Sequence, residues 1–190
     1  MAVLDLVLYP DDALRISCRP VEAITDEVRK LVEDMVETMY DAPGVGLAAP
    51  QVGSDLRITV IDCSVPEDPA NLWVLINPTI LERSGSIIWE EGCLSIPGVY
   101  MEVRRAERVV VKAMNLKGET YEIEADGLEA VCLQHEIDHL NGVLFLDHLS
   151  RLKHRMALKT YKRTLPAWIE ERAEKLKKKG QEPAPPRSEP

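Results

Sequence analysis

Residues 134–139 have the strongest chemical pattern in the chain, QHEIDH. On a helix of about 3.6 residues per turn, His135 and His139 lie one turn apart on the same face, where both imidazoles can hold one metal ion. Glu136 projects about 100° away from His135, so its carboxylate is poorly placed as a third ligand but can reach a water at the metal. This HExxH arrangement is typical of hydrolytic metal sites.

The residues around the two histidines predict a buried helix. Leu128, Val131 and Cys132 share one stripe with the histidines. A helix that is apolar nearly all round lies in a core, and buried histidines need partners, which metal ligation would supply. A helix with two surface histidines and an acid is the alternative. The second apolar stripe consists of Ala130, Leu133, Ile137 and Leu140.

A hydrolytic metal site needs a third protein ligand and one open position. Asp147, His148 and His154 follow the helix and are residue types that zinc proteases use. Cys93 precedes the helix, follows Gly92 and leaves a predicted strand; its thiolate would suit a soft-leaning divalent metal. Spacing alone leaves this choice open.

The composition predicts one soluble domain. A chain of 190 residues with 45% hydrophobic residues can build one substantial core. It has no run of about 18 apolar residues and no signal peptide, so we expect a cytoplasmic protein without a membrane span. The four cysteines, which are widely spaced, suit a reducing compartment.

Charge is distributed unevenly along the chain. The formal net charge is -9, with 27 acids and 11 bases in residues 1–150 but 3 acids and 11 bases in residues 151–180. An acidic body therefore carries a basic C-terminal segment. Such a segment is either an ordinary solvated helix or a surface for phosphate groups, and charge alone names no partner.

The elements that must position these residues indicate an α+β fold. We expect several short, mostly antiparallel strands packed around a central buried metal-binding helix, with an N-terminal helix and a C-terminal helix. Thr25 is a plausible cap for the first helix, and Ser150 for the last, which runs to about Lys179 with an interruption at Pro166. The predicted strands are 56–62, 73–80, 86–89, 103–114 and 120–125.

Residues 44–51, GVGLAAPQ, fit the glycine pattern of a dinucleotide-binding loop. That interpretation is rejected, because such a loop follows a strand and opens a helix, whereas this one follows a helix and meets Pro50. Its glycines instead allow close backbone approach, and Gln51 can aim an amide at a substrate oxygen.

Three segments together resemble the signature motifs of peptide deformylase, in the family's order: GVGLAAPQ at 44–51, EGCLS at 91–95 and QHEIDH at 134–139. The resemblance covers roughly residues 3–165 and is closest to the bacterial form that ends in a helix. It implies a catalytic domain over 1–165. Beyond it, the basic residues predict a helical extension over 166–180, and the proline-rich, polar end predicts a disordered tail over 181–190.

The resemblance also implies a reaction and a site. The enzyme would remove the formyl group from the N-terminal formyl-methionine of newly made proteins and release formate. Fe²⁺, replaceable by Ni²⁺, Co²⁺ or Zn²⁺, would be held by Cys93, His135 and His139. Glu136 would accept the proton of the attacking water, while Gln51 and the backbone N–H of Leu94 would face the formyl oxygen.

For the substrate, the resemblance implies backbone contacts from Val45 and Gly46 and a methionine pocket lined by Leu128, Val131 and Cys132. It implies nascent formyl-methionyl peptides as partners and a ribosome contact through the basic helix, and we expect a monomer. A zinc endopeptidase and a metal-binding module without catalysis are the alternatives. An endopeptidase would need an acid or histidine as third ligand, and a module would need neither Glu136 nor Gln51.

Overall fold

Three α-helices and seven strands form the described part of the chain, which is residues 2–64, 71–178 and 180 of a computed structural model. The predicted disordered tail, 181–190, lies outside these residues. The helices are α1 (Asp26–Asp41), α2 (Gly127–Leu140) and α3 (Arg151–Lys178), and the strands are β1 (Gly46–Ala48), β2 (Ile58–Ile61), β3 (Trp73–Ser84), β4 (Ile87–Glu91), β5 (Met101–Arg105), β6 (Arg108–Met114) and β7 (Thr120–Asp126).

The strands form two antiparallel sheets. Five of them pair in the order β1-β2-β3-β6-β7, and β4 pairs with β5 in a separate ribbon. With the helices grouped around these sheets, the predicted α+β class is confirmed. β1 and β4 each have one strand partner, so each keeps one free edge.

The first helix begins where the sequence predicts. The Thr25 hydroxyl accepts a hydrogen bond from the Val28 backbone N–H at 3.4 Å, and Asp26 and Glu27 place negative charge in the first turn. Its buried side chains, which include Met35 and Met39, pack on β1 and β2. The loop that follows α1 is thereby held beside the sheet.

α2 is the buried centre of the molecule, as predicted. Nearly every residue from Ala130 to Leu140 is buried, and Leu133 and Ile137 pack with side chains of the five-stranded sheet. Gly142 has a φ of +71°, the left-handed conformation that ends many helices and favours glycine. The helix therefore has a fixed end and a fixed rotation, which determines where its histidines point.

The single strand predicted for 103–114 is wrong, because the structure divides this stretch into β5 and β6. Gln134 on α2 accepts a hydrogen bond from Ala106 N (3.0 Å) and donates one to Ala106 O (2.9 Å). These bonds occupy the backbone groups that a continuous strand would use in a ladder. The chain therefore changes sheets at Ala106, and a hydrophobic pattern cannot reveal a change of pairing partner.

The predicted interruption of the last helix at Pro166 is also wrong, since α3 continues through it to Lys178. Pro166 and Lys162 are both exposed, so water can hydrate the carbonyl that loses its partner. A buried stripe of Ala157, Tyr161 and Leu165 fixes the helix on the core. The predicted boundary between 165 and 166 stays a prediction. Over the described ranges no helix combines the length and apolarity that a bilayer crossing needs.

Candidate metal centre and substrate cleft

Three side chains of different elements converge on one point. Cys93 Sγ lies 3.2 Å from His139 Nε2, and the rings of His135 and His139 have centroids 5.0 Å apart. The ligand atoms of the three residues all lie within 4.8 Å of one another. Within the described ranges this is the one cluster of three such side chains close enough to share an ion.

The other candidates for a third ligand have different partners. Asp147 pairs with Arg15 at 2.5 Å, and His148 Nε2 lies 2.7 Å from Asp138 Oδ2. Neither they nor His154 belong to the cluster. Of the four candidates for the third ligand, Cys93 is therefore the one that lies beside the two histidines.

Glu91 and Arg105 form a buried support behind His135. Glu91 Oε2 lies 2.8 Å from His135 Nδ1 and accepts a hydrogen bond from that N–H. The other ring nitrogen, Nε2, is then free to bind a metal. Arg105 donates to both Glu91 oxygens, at 2.7 and 3.0 Å, and to Asp138 at 2.5 Å. Burial raises the pKa of Glu91, but the bonds from His135 and Arg105 outweigh burial and lower this pKa to about 2. The support is therefore ionised.

The protonation of the two histidines differs. Burial lowers the pKa of His139, and the neighbouring His135 lowers it further. Burial also lowers the pKa of His135, but contacts with Cys93 and Glu91 outweigh burial and raise it overall. His139 is thus neutral, which is the form that binds metals, and a metal bound to His135 would displace the second proton of that imidazole.

Glu136 lies against Gly46, the first residue of β1. A Cβ added to Gly46 would sit 2.5 Å from Glu136 Oε1, so only glycine fits there. Burial raises the pKa of Glu136 to about 7. Its Oε2 has no hydrogen-bond partner among the described residues. A carboxyl group with this pKa can both accept and return a proton near neutral pH.

Gln51 has a fixed orientation toward the cluster. Its Oε1 accepts a hydrogen bond from Ala48 N at 2.8 Å, which turns Nε2 toward Cys93 Sγ (3.5 Å) and Ser95 Oγ (3.2 Å). The side chain is buried. An amide N–H donor is therefore held beside the metal cluster before any ligand binds.

A cleft of about 600 Å³ opens onto this centre. The residues expected to bind substrate all line it: Val45 and Gly46 from the loop and β1, Leu94 beside Cys93, and Leu128, Val131 and Cys132 from α2. A hydrogen bond with Cys63 and burial raise the pKa of Cys132, so its thiol stays protonated and packs rather than ligates.

Sequence reasoning missed two groups of residues at this site. Glu91 is the first residue of the EGCLS segment. A buried histidine that binds a metal usually has a carboxylate partner, and this requirement could have identified Glu91. Arg105 gave no such signal. The cleft is also lined by Trp168, Glu171, Arg172 and Lys175, which the sequence suggested only as part of a basic extension.

Comparisons with known proteins decide the family. A profile of the polypeptide deformylase family matches residues 3–155. The chain belongs to the polypeptide deformylase family. The peptide deformylase of Hydrogenovibrio crunogenus is 53% identical over 165 residues, which are 87% of this chain and 96% of the relative. That of Neisseria gonorrhoeae is 52% identical over 153 residues, 80% of this chain and 90% of the relative. The resemblance of the three motifs is thereby confirmed.

Solved deformylase structures have the same fold. The enzyme from Legionella pneumophila superposes with a TM-score of 0.84 at 46% identity, covering 88% of this chain and 98% of that one. The enzyme from Synechococcus elongatus, solved with actinonin, gives a TM-score of 0.79 at 47% identity, covering 82% and 86%. The prediction of a deformylase-family enzyme is confirmed, and the Cys93 cluster is a possible site for the metal of this metalloenzyme family.

Proposed function

We propose that this chain is a metal-dependent hydrolase that removes the formyl group from the N-terminal formyl-methionine of newly synthesised proteins and releases formate. The observation that carries the proposal is the cluster of Cys93, His135 and His139 with the Glu136 carboxyl beside it, at the bottom of an open cleft. Membership of the deformylase family supports the choice of substrate.

The donor set supports a divalent transition metal. One sulfur and two imidazole nitrogens lie within 4.8 Å of one another, and a metal held by these three ligands would keep a fourth position for water or substrate, as in catalytic sites. The thiolate and the imidazoles suit a divalent transition metal, and the resemblance to the deformylase family supports Fe²⁺, with Ni²⁺, Co²⁺ or Zn²⁺ as replacements. When bound, the ion supplies Lewis acidity and makes a hydroxide nucleophile available near neutral pH.

Glu136 is assigned the proton transfers. Its pKa of about 7, raised by burial, lets the carboxylate take the proton of the attacking water. The same carboxyl then returns a proton to the amine that leaves when the formyl C–N bond breaks. A group whose pKa lay at its ordinary value would hold that proton too weakly for the second step.

Gln51 and Leu94 are assigned to the formyl oxygen. Gln51 Nε2 is oriented beside the metal cluster by its bond to Ala48, and the backbone N–H of Leu94 follows directly after Cys93. Donors fixed where negative charge develops lower the barrier, and deleting one costs about 3–4 kcal/mol.

The cleft supports binding of an extended peptide that begins with methionine. Leu128, Val131 and Cys132 offer an apolar wall that suits an unbranched thioether side chain. The free edges of β1 and β4 offer backbone groups on the two sides of the cleft, including those of Gly46, so that the peptide can add as a strand.

We further propose that the protein meets its nascent substrates at the ribosome, as a monomer in the cytoplasm. Six bases in the first half of α3 are exposed, and among these Arg151, Arg155, Lys159 and Arg163 recur at every fourth position. Their stripe lies on the face of α3 opposite to the buried stripe of Ala157, Tyr161 and Leu165. A positive stripe on an acidic body suits ribosomal RNA.

Formate release from formyl-Met-Ala-Ser tests the proposal, using protein purified without oxygen and loaded with Fe²⁺ or Ni²⁺. We expect the wild type to release formate. Cys93→Ser should lose the metal, because a hydroxyl replaces the thiolate. Glu136→Ala should keep the metal and lose about 10²- to 10⁴-fold in turnover.

Cys18→Ser is the matched control, since Cys18 belongs neither to the metal cluster nor to the lining of the cleft, and the variant should keep metal and activity. Cleavage of an internal peptide bond, or a Cys93→Ser protein with full metal content, would indicate an endopeptidase instead. A Glu136→Ala protein with full activity would refute the assigned proton transfers.

A further inference from the structure

The last turns of α3 form part of the wall of the substrate cleft. Trp168, Glu171, Arg172 and Lys175 line the same cavity as the metal cluster. Upstream, α3 packs tightly on the loop that follows Cys93: the Thr164 hydroxyl lies against Gly98, where an added Cβ would collide with it. The wall is therefore continuous with a helix that is fixed on the core.

Asp41, the last residue of α1, anchors this wall. Arg172 Nη1 donates to Asp41 Oδ2 at 2.6 Å, and Lys175 Nζ lies 3.3 Å from Asp41 Oδ1 and also donates to the Asp41 carbonyl. The Asp41 side chain is only 2% exposed and that of Arg172 11%. This ion pair is thus largely removed from solvent, and it joins α3 to the start of the loop that carries Val45 and Gly46.

The guanidinium of Arg172 has a buried donor nitrogen without an acceptor in the part of the chain that the structure describes. While Nη1 is bound to Asp41, Nη2 is buried and finds no acceptor among the described residues. A buried N–H donor without a partner is costly, so a ligand that brings an acceptor to this position gains affinity. Because Arg172 lines the cleft, a bound peptide can bring that acceptor.

Two observations define which acceptor. Gly46, which lies against Glu136, is five positions after Asp41, so their Cα atoms lie no more than about 18 Å apart. An extended peptide that starts at the metal and runs toward Arg172 would therefore reach it within about five residues of its methionine. Acids outnumber bases along this part of the cleft, where Asp41, Glu90 and Glu171 accompany Arg172 and Lys175. An acidic lining disfavours an acidic side chain and leaves a neutral main-chain carbonyl as the acceptor.

We propose that Arg172 is a specificity-determining residue: its Nη2 donates to a main-chain carbonyl of the substrate a few residues after the methionine. The enzyme then reads the length of the peptide rather than its sequence, which suits a reaction on many different proteins. This inference rests on the proposed deformylase function and deepens it.

The test measures kcat/KM for formate release from formyl-Met-(Ala)n-amide peptides with one to five alanines. For the wild type, kcat/KM should rise about tenfold when one particular alanine is added, and this is the step in length. Its size is that expected for one hydrogen bond from a charged donor. Arg172→Ala should reduce that step to less than twofold. Lys177→Ala is the matched control, because Lys177 is exposed on the same helix outside the cleft, and it should keep the full step.

Arg172→Lys separates binding from anchoring. A lysine can still pair with Asp41, so limited trypsin digestion should cut near Lys175 as slowly as in the wild type. Its single nitrogen cannot donate at both positions, and the step in length should still be lost. A wild type without the step, a step that survives in Arg172→Ala, or a step restored by Arg172→Lys would overturn the proposal. Absence of formate from every peptide would instead refute the proposed function.

Discussion

At the scale of single residues, the carboxyl group of Glu136, to which we assign the proton transfers, depends on the absence of a side chain at position 46. Glu136 is buried and lies against Gly46, where an added Cβ would be 2.5 Å from Oε1 and 2.9 Å from the carboxyl carbon. Glu136 Cγ also lies 2.9 Å from that position, so an added Cβ would displace the whole buried side chain and not only its end. The position of the proposed proton acceptor thus depends on a glycine.

We expect Gly46→Ala to lower kcat for deformylation at least about 100-fold, since a displacement of about 1 Å at a reacting group can cost that much. Metal content should stay near one ion per chain, because Cys93, His135 and His139 are untouched. Steady-state formate release and metal analysis measure both. Gly44→Ala is the control: its Cβ would meet the flexible end of Leu94 instead, so its loss should be smaller. Equal losses in both variants would contradict the argument.

The sequence predicted the residues of the centre better than the residues that support it. His135, Glu136 and His139 follow from helical spacing, and Cys93 and Gln51 from the resemblance of their motifs. Glu91 has its role because β4 ends behind His135, a matter of tertiary packing. Arg172 has its place because α3 folds back against Asp41, a contact between residues 131 positions apart that no local pattern indicates.

At the scale of elements, the joint between α1 and β2 holds the loop that carries Val45 and Gly46. Tyr40 donates a hydrogen bond to Asp62 Oδ2 at 2.5 Å, and Asp62 N donates to Val45 O at 2.9 Å. The helix and this strand were both predicted, but their joint was not, because periodicity gives elements without their contacts. For the same reason the predicted strand 103–114 concealed a change of sheets.

The joint should weaken in acid. Burial raises the pKa of Asp62, but hydrogen bonds from Ser64 and Tyr40 outweigh burial and lower it overall. A lowered pKa in the folded state means that the carboxylate stabilises the fold above the ordinary value of about 3.9 and loses this contribution as pH falls through the folded pKa. The gap in free energy of unfolding between wild type and Asp62→Asn should therefore be constant above about pH 5 and shrink below about pH 4. Urea titrations at each pH measure it.

Tyr40, which donates the hydrogen bond to Asp62, provides the control. Burial and the bond to Asp62 raise the pKa of Tyr40 to about 12. A raised pKa means that the contribution of Tyr40 is complete below the ordinary value of about 10 and disappears as pH rises through about 12. The difference in free energy of unfolding between wild type and Tyr40→Phe should therefore stay constant at every acidic pH at which Asp62 is still ionised. A gap for Asp62→Asn that does not vary between pH 3 and pH 7 would refute the assignment.

At the scale of the whole molecule, α3 presents two different surfaces along its length. Its first half presents an exposed basic stripe to solvent over about 18 Å, while its last turns face the cleft and pair with Asp41. The sequence shows the excess of bases in 151–180, but it does not distinguish the bases that pair with acids from those that are exposed. Only the packing of α3 shows that Arg172 and Lys175 pair with Asp41, whereas the stripe is an exposed positive surface in the first half of this helix.

The stripe should give ribosome binding a steep dependence on salt. Removing one base that binds a phosphate lowers the slope of log affinity against log salt by about 0.7–0.9, so the triple variant Arg155→Gln, Lys159→Gln, Arg163→Gln should lower it by about 2–3. Sedimentation with purified ribosomes between 50 and 200 mM salt measures the slope. A matched triple variant of exposed bases elsewhere, Arg29→Gln, Arg83→Gln and Lys117→Gln, carries the same change in net charge and should keep the wild-type slope. Equal slopes in the two triple variants would show that net charge, and not this stripe, determines binding. Deformylation of free peptides should stay unchanged in both, because none of the six residues lines the cleft.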